Sequence, residues 1–415
     1  MKNLLRLLSS SFSAQIITFI SMILIARLYS SEDFGLYAVL ISILQFTPIL
    51  LSFRYELTIM NSVDDDDVCI NIITSIALPI GLFFIYAVFI TSAYIIMSIM
   101  DIVSINSSLF LIVIMCVFFT ALNEVLLKVN NFYGNYKTIS KKITLNALIL
   151  NFFQISLGYI FVADFYYLAL GFLISTFCSF VVLILPIIGG EVFKRKNLNW
   201  ELMLTAFKSN FKFSSYNVGN AFLNKSSAEL PVLIISTFFG MSAVGQFSLA
   251  RKIVSQPINI LGSNLSLLYH KTLADIKRNR VVGAVKLAKK SILNLLIISL
   301  IISIFLVLFA EYLIAYFYGE NWGLATELLI LLLPLIALRL ISTPIFHVFN
   351  ITKKSGEFFI INLAKIFLAL LGLLIGVYFE DIKITVFMYA LLSSIAYIIG
   401  IIRAVKLSAR IDNGI

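Results

Sequence analysis

Long runs of apolar residues, separated by short polar connectors, recur along the whole chain. Each run is close to the roughly 20 residues that an α-helix needs to cross the hydrocarbon core of a bilayer. Because backbone groups in lipid must be hydrogen-bonded within their own segment, such runs are expected to be helical. The pattern predicts an all-α integral membrane protein of about twelve transmembrane helices, at residues 10–28, 34–51, 68–90, 109–127, 143–162, 166–188, 213–239, 243–269, 291–311, 326–348, 358–379 and 384–402.

The positions of the basic residues predict the orientation. Of the 31 Lys and Arg residues, 24 fall in the two terminal segments and in every second connector, whereas the opposite connectors contain Arg27 and Lys383. Since positively charged connectors stay in the cytoplasm, both termini are predicted to be cytoplasmic. The net charge of +10 therefore does not indicate nucleic acid as a partner, because the charges lie in short connectors and not on one folded face.

Composition agrees with a chain that needs lipid as its solvent. The sequence is 60% hydrophobic and 13% charged, which leaves no room for a sizeable soluble domain beside twelve spans. Cys69, Cys116 and Cys178 lie inside apolar runs without paired spacing, so we predict neither a disulfide nor a metal site from them. The first run lacks a small-residue cleavage site and is interpreted as a first span.

A long polar connector divides the predicted spans into two sets of six. We predict an N-terminal six-helix bundle at residues 1–190, a cytoplasmic linker at 191–212 and a C-terminal six-helix bundle at 213–415. Across the linker there is a weak repeat at an offset of 210, in which Gly35 corresponds to Gly245 and Tyr37 to Phe247. Its alternative is a chance similarity of apolar segments. A true repeat would place the two bundles parallel, related by an axis along the membrane normal.

Five basic residues lie inside predicted spans: Lys225, Arg251, Lys252, Arg339 and Lys365. A charge near the bilayer centre costs about 2.5 to 3.5 kcal/mol on insertion scales, so these residues are expected to face the bundle interior or a wet cavity. The five outnumber the acidic residues of the same spans, which are Glu229 and Glu327. An excess of buried positive charge favours an anionic ligand, such as a phosphate or an acidic sugar.

Polar residues also form stripes at helical spacing. They concentrate on the first, seventh and eighth spans, which we expect to face an aqueous space. The stripes consist of Ser11, Gln15 and Thr18; of Asn217, Asn220 and Asn224; and of Lys252, Gln256, Asn259 and Ser263.

Structural roles are the alternatives for the same residues. Lys225 and Glu229 are spaced to neutralise each other, Arg339 could cap helix carbonyls, and Lys365 could extend to the membrane surface. Arg251 and Lys252 are about 100° apart on a helix, so both cannot face one groove squarely. The run Asp64 to Asp67 lacks calcium-loop spacing and is interpreted as a solvated loop, and no phosphate-binding loop is present. We therefore predict no metal and no cofactor.

Several short motifs resemble those of a known family. The segments are ARLYSSEDFGLY at 26–37, RYEL at 54–57, LPVL at 230–233, VGQF at 244–247 and FYGENW at 317–322. Together with the twelve-span layout, they resemble the bacterial polysaccharide-unit flippases of the Wzx type, in the superfamily that also contains multidrug antiporters and lipid II flippases. The resemblance covers the whole chain.

This resemblance implies a transporter of the bacterial cytoplasmic membrane that moves undecaprenyl-diphosphate-linked oligosaccharides by alternating access, for O-antigen or capsule assembly. Two six-helix bundles would form a V-shaped central cavity lined by spans one, two, seven and eight. Coupling to an H+ or Na+ gradient is expected, with a polysaccharide polymerase and a chain-length regulator as partners. Arg54 and Glu56 would form a gate pair, for which an interfacial anchor is the alternative, and Glu229 is a further candidate for coupling.

On this hypothesis the five buried cations contact the diphosphate or acidic sugars, while a set of amides binds sugar hydroxyls or water: Gln15, Asn220, Asn224, Gln256 and Asn259. One alternative is a small-molecule antiporter of the same superfamily, although such sites usually use buried carboxylates. Another is an integral membrane glycan polymerase, which would be expected to have a sizeable outer loop. We predict a transporter and not an enzyme.

Overall fold

A computed structural model describes residues 2–62, 64–99, 107–189, 200–279, 281–352 and 354–413. These residues form helices joined by short turns, and no strand occurs among them. The α-helices are α1 Lys2–Leu28, α2 Ser31–Leu44, α3 Thr47–Ser52, α4 Asp65–Ile99, α5 Ser107–Phe132, α6 Tyr136–Ile160, α7 Phe165–Ile188, α8 Trp200–Asn279, α9 Ala284–Tyr318, α10 Gly323–Ile345, α11 His347–Ile351, α12 Ser355–Tyr378 and α13 Ile382–Asp412. The described residues also form two 3₁₀ turns, Tyr55–Asn61 and Glu320–Trp322.

The twelve predicted spans are confirmed once α8 is divided. Within the described residues, 11 helical segments are long and apolar enough to cross a membrane, and one of them, Trp200–Gln256, is 57 residues long. That segment is interrupted at Gly240, where φ is 83° and ψ is 172°. A residue with side chain would be strained at this positive φ, so glycine allows the chain to turn between two spans. The predicted spans 213–239 and 243–269 lie on the two sides of this break.

The predicted linker is only partly described. Residues 191–199 lie outside the described residues, whereas residues 200–212 are helical and begin α8. The expected division at 1–190 and 213–415 stays a prediction. By their contacts, the residues group into one compact unit of Met1–Tyr29 with Leu40–Lys225, and a second of Ser30–Val39 with Ser226–Ile415. We call these unit 1 and unit 2.

Unit 1 is held together by apolar packing and by polar ties between helices. Its core includes Ile72, Val125 and Leu183, which are fully buried. The amide of Asn130 on α5 donates to the carbonyl oxygen of Leu183 on α7 at 2.9 Å. Because hydrocarbon offers no competing hydrogen-bond partners, such ties fix how neighbouring helices align in a membrane.

Unit 2 contains a close crossing between the start of α2 and the part of α8 that follows Gly240. A Cβ atom on Gly35 would overlap the carbonyl oxygen of Met241, and a Cβ atom on Gly245 would overlap that of Ser31. At the offset of 210, position 31 corresponds to 241 and position 35 to 245. The contact between 35 and 241 is therefore equivalent to the contact between 245 and 31, so the two contacts are reciprocal. The two segments therefore contact each other through equivalent positions of the repeat.

The last helix of the chain caps another helix of unit 2. The Asp412 carboxylate accepts hydrogen bonds from the backbone N–H groups of Gly283, Ala284 and Val285, at 2.8, 2.7 and 3.0 Å. These groups lie at the start of α9, where N–H groups have no partner within their own helix. A carboxylate supplied from a distant part of the chain therefore takes the role of a helix cap.

Candidate substrate-binding site

Arg251, in the part of α8 that follows Gly240, is bound to the part that precedes it. Its guanidinium donates to the carbonyl oxygen of Ala228 at 2.6 Å and forms an ion pair with the Glu229 carboxylate at 3.4 Å. The same group lies 5.9 Å from the centre of the Phe247 ring. About a quarter of the Arg251 side chain remains exposed, at 27%. Arg251 thus joins the two sides of the turn and keeps part of its charge accessible.

Lys252, the next residue, contacts aromatic rings. Its ammonium lies 4.7 Å from the centre of the Phe34 ring and 5.6 Å from that of Tyr37, both on α2. Electron-rich ring faces stabilise a cation where water is scarce, by about 2 kcal/mol or more once the charge is desolvated. Arg251 and Lys252 thus have different partners, and their angular separation of about 100° on the helix predicted that both would not face one groove squarely.

Lys365 of α12 is enclosed by aromatic side chains from three helical regions. Its ammonium lies 4.4 Å from the ring centre of Tyr397, 4.6 Å from that of Phe346 and 5.8 Å from that of Phe358. It also donates a long hydrogen bond of 3.4 Å to the Asn362 amide oxygen. We call this arrangement the Lys365 cage. Lys365 is only 8% exposed, so it does not extend to the membrane surface, which was the structural alternative for it.

The four cations of unit 2 lie close enough to influence a shared set of groups. The charges of Arg251 and Glu229 act on Lys252, that of Arg339 acts on Lys365, and those of Arg251, Glu229 and Arg339 all act on Tyr389. Arg339 itself is exposed. Within the part of the chain that the structure describes, Glu229 is the one carboxylate at ion-pair distance from any of Arg251, Lys252, Arg339 and Lys365. This group, which we call the cation cluster, therefore carries an excess of three positive charges.

The fifth predicted cation belongs to unit 1. Lys225 donates to the Gln45 amide oxygen at 2.5 Å, a contact that joins the N-terminal part of α8 to the end of α2. Near it on α8, Asn224 is exposed and Asn220 is half-buried. Gln15 on α1 has a buried amide oxygen without a hydrogen-bond partner among the described residues. Unit 1 thus contains several of the predicted amides and one predicted cation, Lys225, that is already hydrogen-bonded.

The remaining amides of the predicted stripe follow Lys252 on α8. Gln256 also has a buried amide oxygen that lacks a partner among the described residues. A buried acceptor without a donor is costly, so a water molecule or a ligand hydroxyl is expected there. The side chain of Asn259 lies outside the described ones, and its role stays a prediction.

Arg54 and Glu56 form an ion pair at 3.3 Å, next to the 3₁₀ turn. Phe53 and Arg54 both have left-handed backbone conformations, with φ of 51° and 53°, which turns the chain sharply after α3. The Glu56 side chain is completely buried, and one of its oxygens lacks a hydrogen-bond partner within the described residues. Burial raises the pKa of this carboxyl above its usual value, although the Arg54 charge acts against that shift.

The sequence is similar to those of known proteins. The profile of the family described as "Polysaccharide biosynthesis protein" matches residues 24–327, which is most of the chain. The chain belongs to this family. The teichuronic acid biosynthesis protein TuaB of Bacillus subtilis (strain 168) is 24% identical over 198 residues, which are 48% of this chain and 41% of TuaB. The chain thus matches about two fifths of the length of this curated relative.

Solved structures of membrane transporters share the fold of this family member. The inward closed form of the lipid II flippase MurJ superposes with a TM-score of 0.71 at 16% identity, covering 97% of this chain and 89% of MurJ. An inward-facing multidrug transporter of the MATE family, in the MOP superfamily, gives 0.66 at 13% identity, covering 98% and 95% of the two chains. A MOP superfamily transporter from Pyrococcus furiosus, described as having a binding pocket of reverse polarity, gives 0.59 at 12% identity over 99% and 96%.

The predicted fold class and the family resemblance are confirmed, so this member of the polysaccharide biosynthesis family is a multi-pass membrane protein with a transporter fold. The aromatic partners of its buried cations were not predicted from the sequence. The rings of the Lys365 cage are ordinary apolar positions in a membrane helix, and no sequence signal separates them from lipid-facing aromatics. Phe34 and Tyr37 lie in the motif at 26–37, which indicated the family but not their contact with Lys252. Gln45 carried a signal, because at the offset of 210 residues it aligns with position 255, one residue from Gln256 in the sequence.

Proposed function

We propose that this protein is a flippase that moves polyprenyl-diphosphate-linked oligosaccharides, such as undecaprenyl-diphosphate-linked repeat units, from one leaflet of the membrane to the other. The observation that carries the proposal is the excess of positive charge in the cation cluster. In lipid, unpaired cations are costly, so their retention favours a ligand that supplies the missing negative charge. A diphosphate supplies at least two such charges on oxygens that accept hydrogen bonds from Lys and Arg.

The proposed division of roles follows from the contacts of each cation. The Arg251 side chain is 27% exposed and Arg339 is exposed, so both would bind the diphosphate directly. Lys252 is held on aromatic rings and Lys365 lies inside its cage, so both would act through their fields and become direct ligands only if the rings move. Gln256 would donate its amide N–H groups to phosphate or sugar oxygens.

Binding of the diphosphate group can be measured directly. Purified protein in detergent would be titrated with farnesyl diphosphate and with farnesol, and binding followed by native mass spectrometry. Replacing Arg251 or Arg339 by Gln is expected to weaken farnesyl diphosphate binding about 10- to 100-fold, since one charge-assisted hydrogen bond contributes about 1.5 to 3 kcal/mol. The matched control is Lys406→Met, which removes an exposed cation of α13 away from the cluster.

Equal binding of farnesyl diphosphate and farnesol would contradict the proposal, and so would unchanged binding in both arginine variants. Preferential binding of organic cations would instead favour the small-molecule antiporter. Glu229 is the acidic residue of the group, and its pairing with Arg251 argues against a free carboxylate for a cationic drug. For transport, the test is the appearance of lipid-linked sugar in the opposite leaflet of proteoliposomes.

We further infer a location in the bacterial cytoplasmic membrane, with both termini in the cytoplasm and a polysaccharide polymerase and chain-length regulator as partners. Reporter fusions after residue 413 and within the connectors would test the orientation.

Transport is proposed to be coupled to an H+ or Na+ gradient. Collapsing each gradient separately in the proteoliposome assay distinguishes the two ions, and transport that survives the loss of both gradients would reject coupling.

A further inference from the structure

Unit 1 contains a polar cavity that is separate from the cation cluster. It has a volume of about 320 Å³ and lies where the 3₁₀ turn, the start of α4 and the start of α8 meet. This volume is at the lower end of the range for small-molecule sites, about 300 to 1,000 Å³. Its polar lining comes from hydroxyls, amides and one carboxylate: Thr58, Asn61, Ser62, Asp67, Asn71, Thr205, Ser209 and Asn210.

The backbone turn that builds one wall is strained. The consecutive left-handed residues Phe53 and Arg54 direct the chain into the 3₁₀ turn, and non-glycine residues adopt this conformation at a cost of about 1 to 2 kcal/mol each. Stacking of Phe53 on Phe211, with ring centres 5.4 Å apart, fixes the start of α8 against this turn. Such strain is retained where the surrounding structure fixes a particular arrangement of side chains.

A buried chain of hydrogen bonds orients the wall. The Tyr55 hydroxyl, which is fully buried, donates to the Asn71 amide oxygen at 2.6 Å. The Asn71 amide nitrogen in turn donates to the Ser62 hydroxyl at 2.9 Å. Thr58 and Asn71 are buried, whereas Asn61 and Asp67 are exposed, so the former lie deep in the cavity and the latter at its mouth.

Several hydroxyl groups around the cavity already donate hydrogen bonds to the backbone. Thr58, Thr205 and Ser209 donate to backbone carbonyl oxygens at 2.8 to 2.9 Å, and Asn210 donates its amide N–H to the Ala206 oxygen. Each hydroxyl oxygen nevertheless keeps lone pairs that accept hydrogen bonds. The lining is thus rich in acceptors, carries a single negative charge and lacks a cation among its members. Such a surface fits a ligand with many O–H donors and no negative charge.

We propose that this cavity is a binding site for an uncharged, hydroxyl-rich sugar residue, which we call the sugar pocket. A diphosphate or an acidic sugar would be repelled by Asp67, so the sugar pocket and the cation cluster would recognise different chemical groups. The assignment of the bound sugar to a lipid-linked glycan rests on the proposed function. Binding of a free sugar in this cavity does not depend on the proposed function.

Methyl glucoside and glucuronate are suitable probes, tested on the full-length protein in detergent. Saturation-transfer NMR would detect each sugar, and the fluorescence of Trp200, two residues before the lining residue Leu202, would report saturation. We expect saturable binding of methyl glucoside and at least 10-fold weaker binding of glucuronate. Thr205→Phe fills the cavity and is expected to weaken methyl glucoside binding at least 10-fold. Leu204→Phe, which introduces the same ring at an exposed position outside the cavity lining, is the control.

Asn61→Leu provides a second variant, because Asn61 is exposed at the mouth and its replacement leaves the buried hydrogen bonds intact. The absence of saturable binding to the wild-type protein, or equal binding in Thr205→Phe, Asn61→Leu and Leu204→Phe, would overturn the proposal. Tighter binding of glucuronate than of methyl glucoside would also overturn it.

Loss of farnesyl diphosphate binding in the arginine variants, with methyl glucoside binding retained, would show the two sites to be independent. Transport lost in Thr205→Phe would identify the sugar as part of the cargo, and transport retained would indicate a free sugar as the ligand.

Discussion

A single methyl group at the glycine crossing in unit 2 is expected to destabilise the protein. A Cβ atom added to Gly35 would lie 3.1 Å from the amide nitrogen of Gly245 and well within 3.0 Å of the Met241 carbonyl oxygen. Ordinary contacts begin at 3.4 Å, so the two backbones would have to separate by more than 0.4 Å, which is 3.4 minus 3.0. Overpacking of this kind typically costs about 1 to 3 kcal/mol. Neither obstructing atom belongs to a side chain that could rotate away.

The crossing is symmetric, so Gly245→Ala should cost about as much as Gly35→Ala. The double variant should cost less than the sum, because helices separated for one methyl group leave room for the other. Gly219→Ala is the control: this helical glycine has nothing within 4 Å of its Cβ position, and alanine there should stabilise by about 0.4 to 1 kcal/mol.

Unfolding in sodium dodecyl sulfate, followed by tryptophan fluorescence, measures these differences. Trp322 reports on the crossing directly, since its ring packs edge-on against Phe34 with centres 5.6 Å apart. If Gly35→Ala proved as harmless as Gly219→Ala, the close approach would be wrong. Additive costs in the double variant would show that the two glycines do not share one contact.

Three other substitutions test separate parts of the structure. Asp412→Ala removes the cap of α9 and should lower the free energy of unfolding by about 0.5 to 2 kcal/mol in denaturant titrations, with Asn413→Ala unchanged; equal effects would contradict the capping role. Burial raises the Glu56 pKa above its usual 4.5, so a proton binds more readily in the folded protein and stabilises it. The wild-type thermal midpoint should therefore fall relative to that of Glu56→Gln as the pH rises from below 4.5 through the raised pKa, and a constant difference from pH 4 to 8 would refute this. Lys365→Met should change the free energy of unfolding by less than about 1 kcal/mol, because the lost cation–π attraction is offset by the desolvation cost that disappears with the charge; a large loss would show that the charge itself supports the fold.

The spans could be predicted because lipid imposes one dominant requirement. Any segment that crosses it must be apolar and must satisfy its own backbone, and both properties can be recognised from local sequence. The start of α8 was assigned to a linker instead, because residues 200–212 include Glu201, Lys208 and Lys212 and lack the hydropathy of a span. Helical structure there is stabilised by packing on the 3₁₀ turn, which hydropathy does not report.

Site residues were predictable as charges but not as contacts. A buried lysine is unusual enough to be noticed anywhere in a span, so Lys252 and Lys365 were found. Several of their partners come from other helices, and only the fold brings Tyr397 to Lys365 or Phe34 to Lys252. The sugar pocket was missed for a related reason. Asn61, Asp67 and their neighbours have the composition of an ordinary solvated connector, which was the interpretation given to the acidic run there.

The glycine crossing also constrains how the protein is made. Gly35 and Gly245 are separated by 210 residues, which a ribosome adding about 5 to 20 residues per second needs roughly 10 to 40 s to synthesise. During that interval the segment Ser30–Val39 is already in the membrane, while the residues that it packs against in unit 2 do not yet exist. Its closely packing face must be covered by lipid or by temporary neighbours. Unit 2 therefore cannot assemble by the stepwise addition of finished helices, and its completion requires an early helix to exchange lipid for protein late in synthesis.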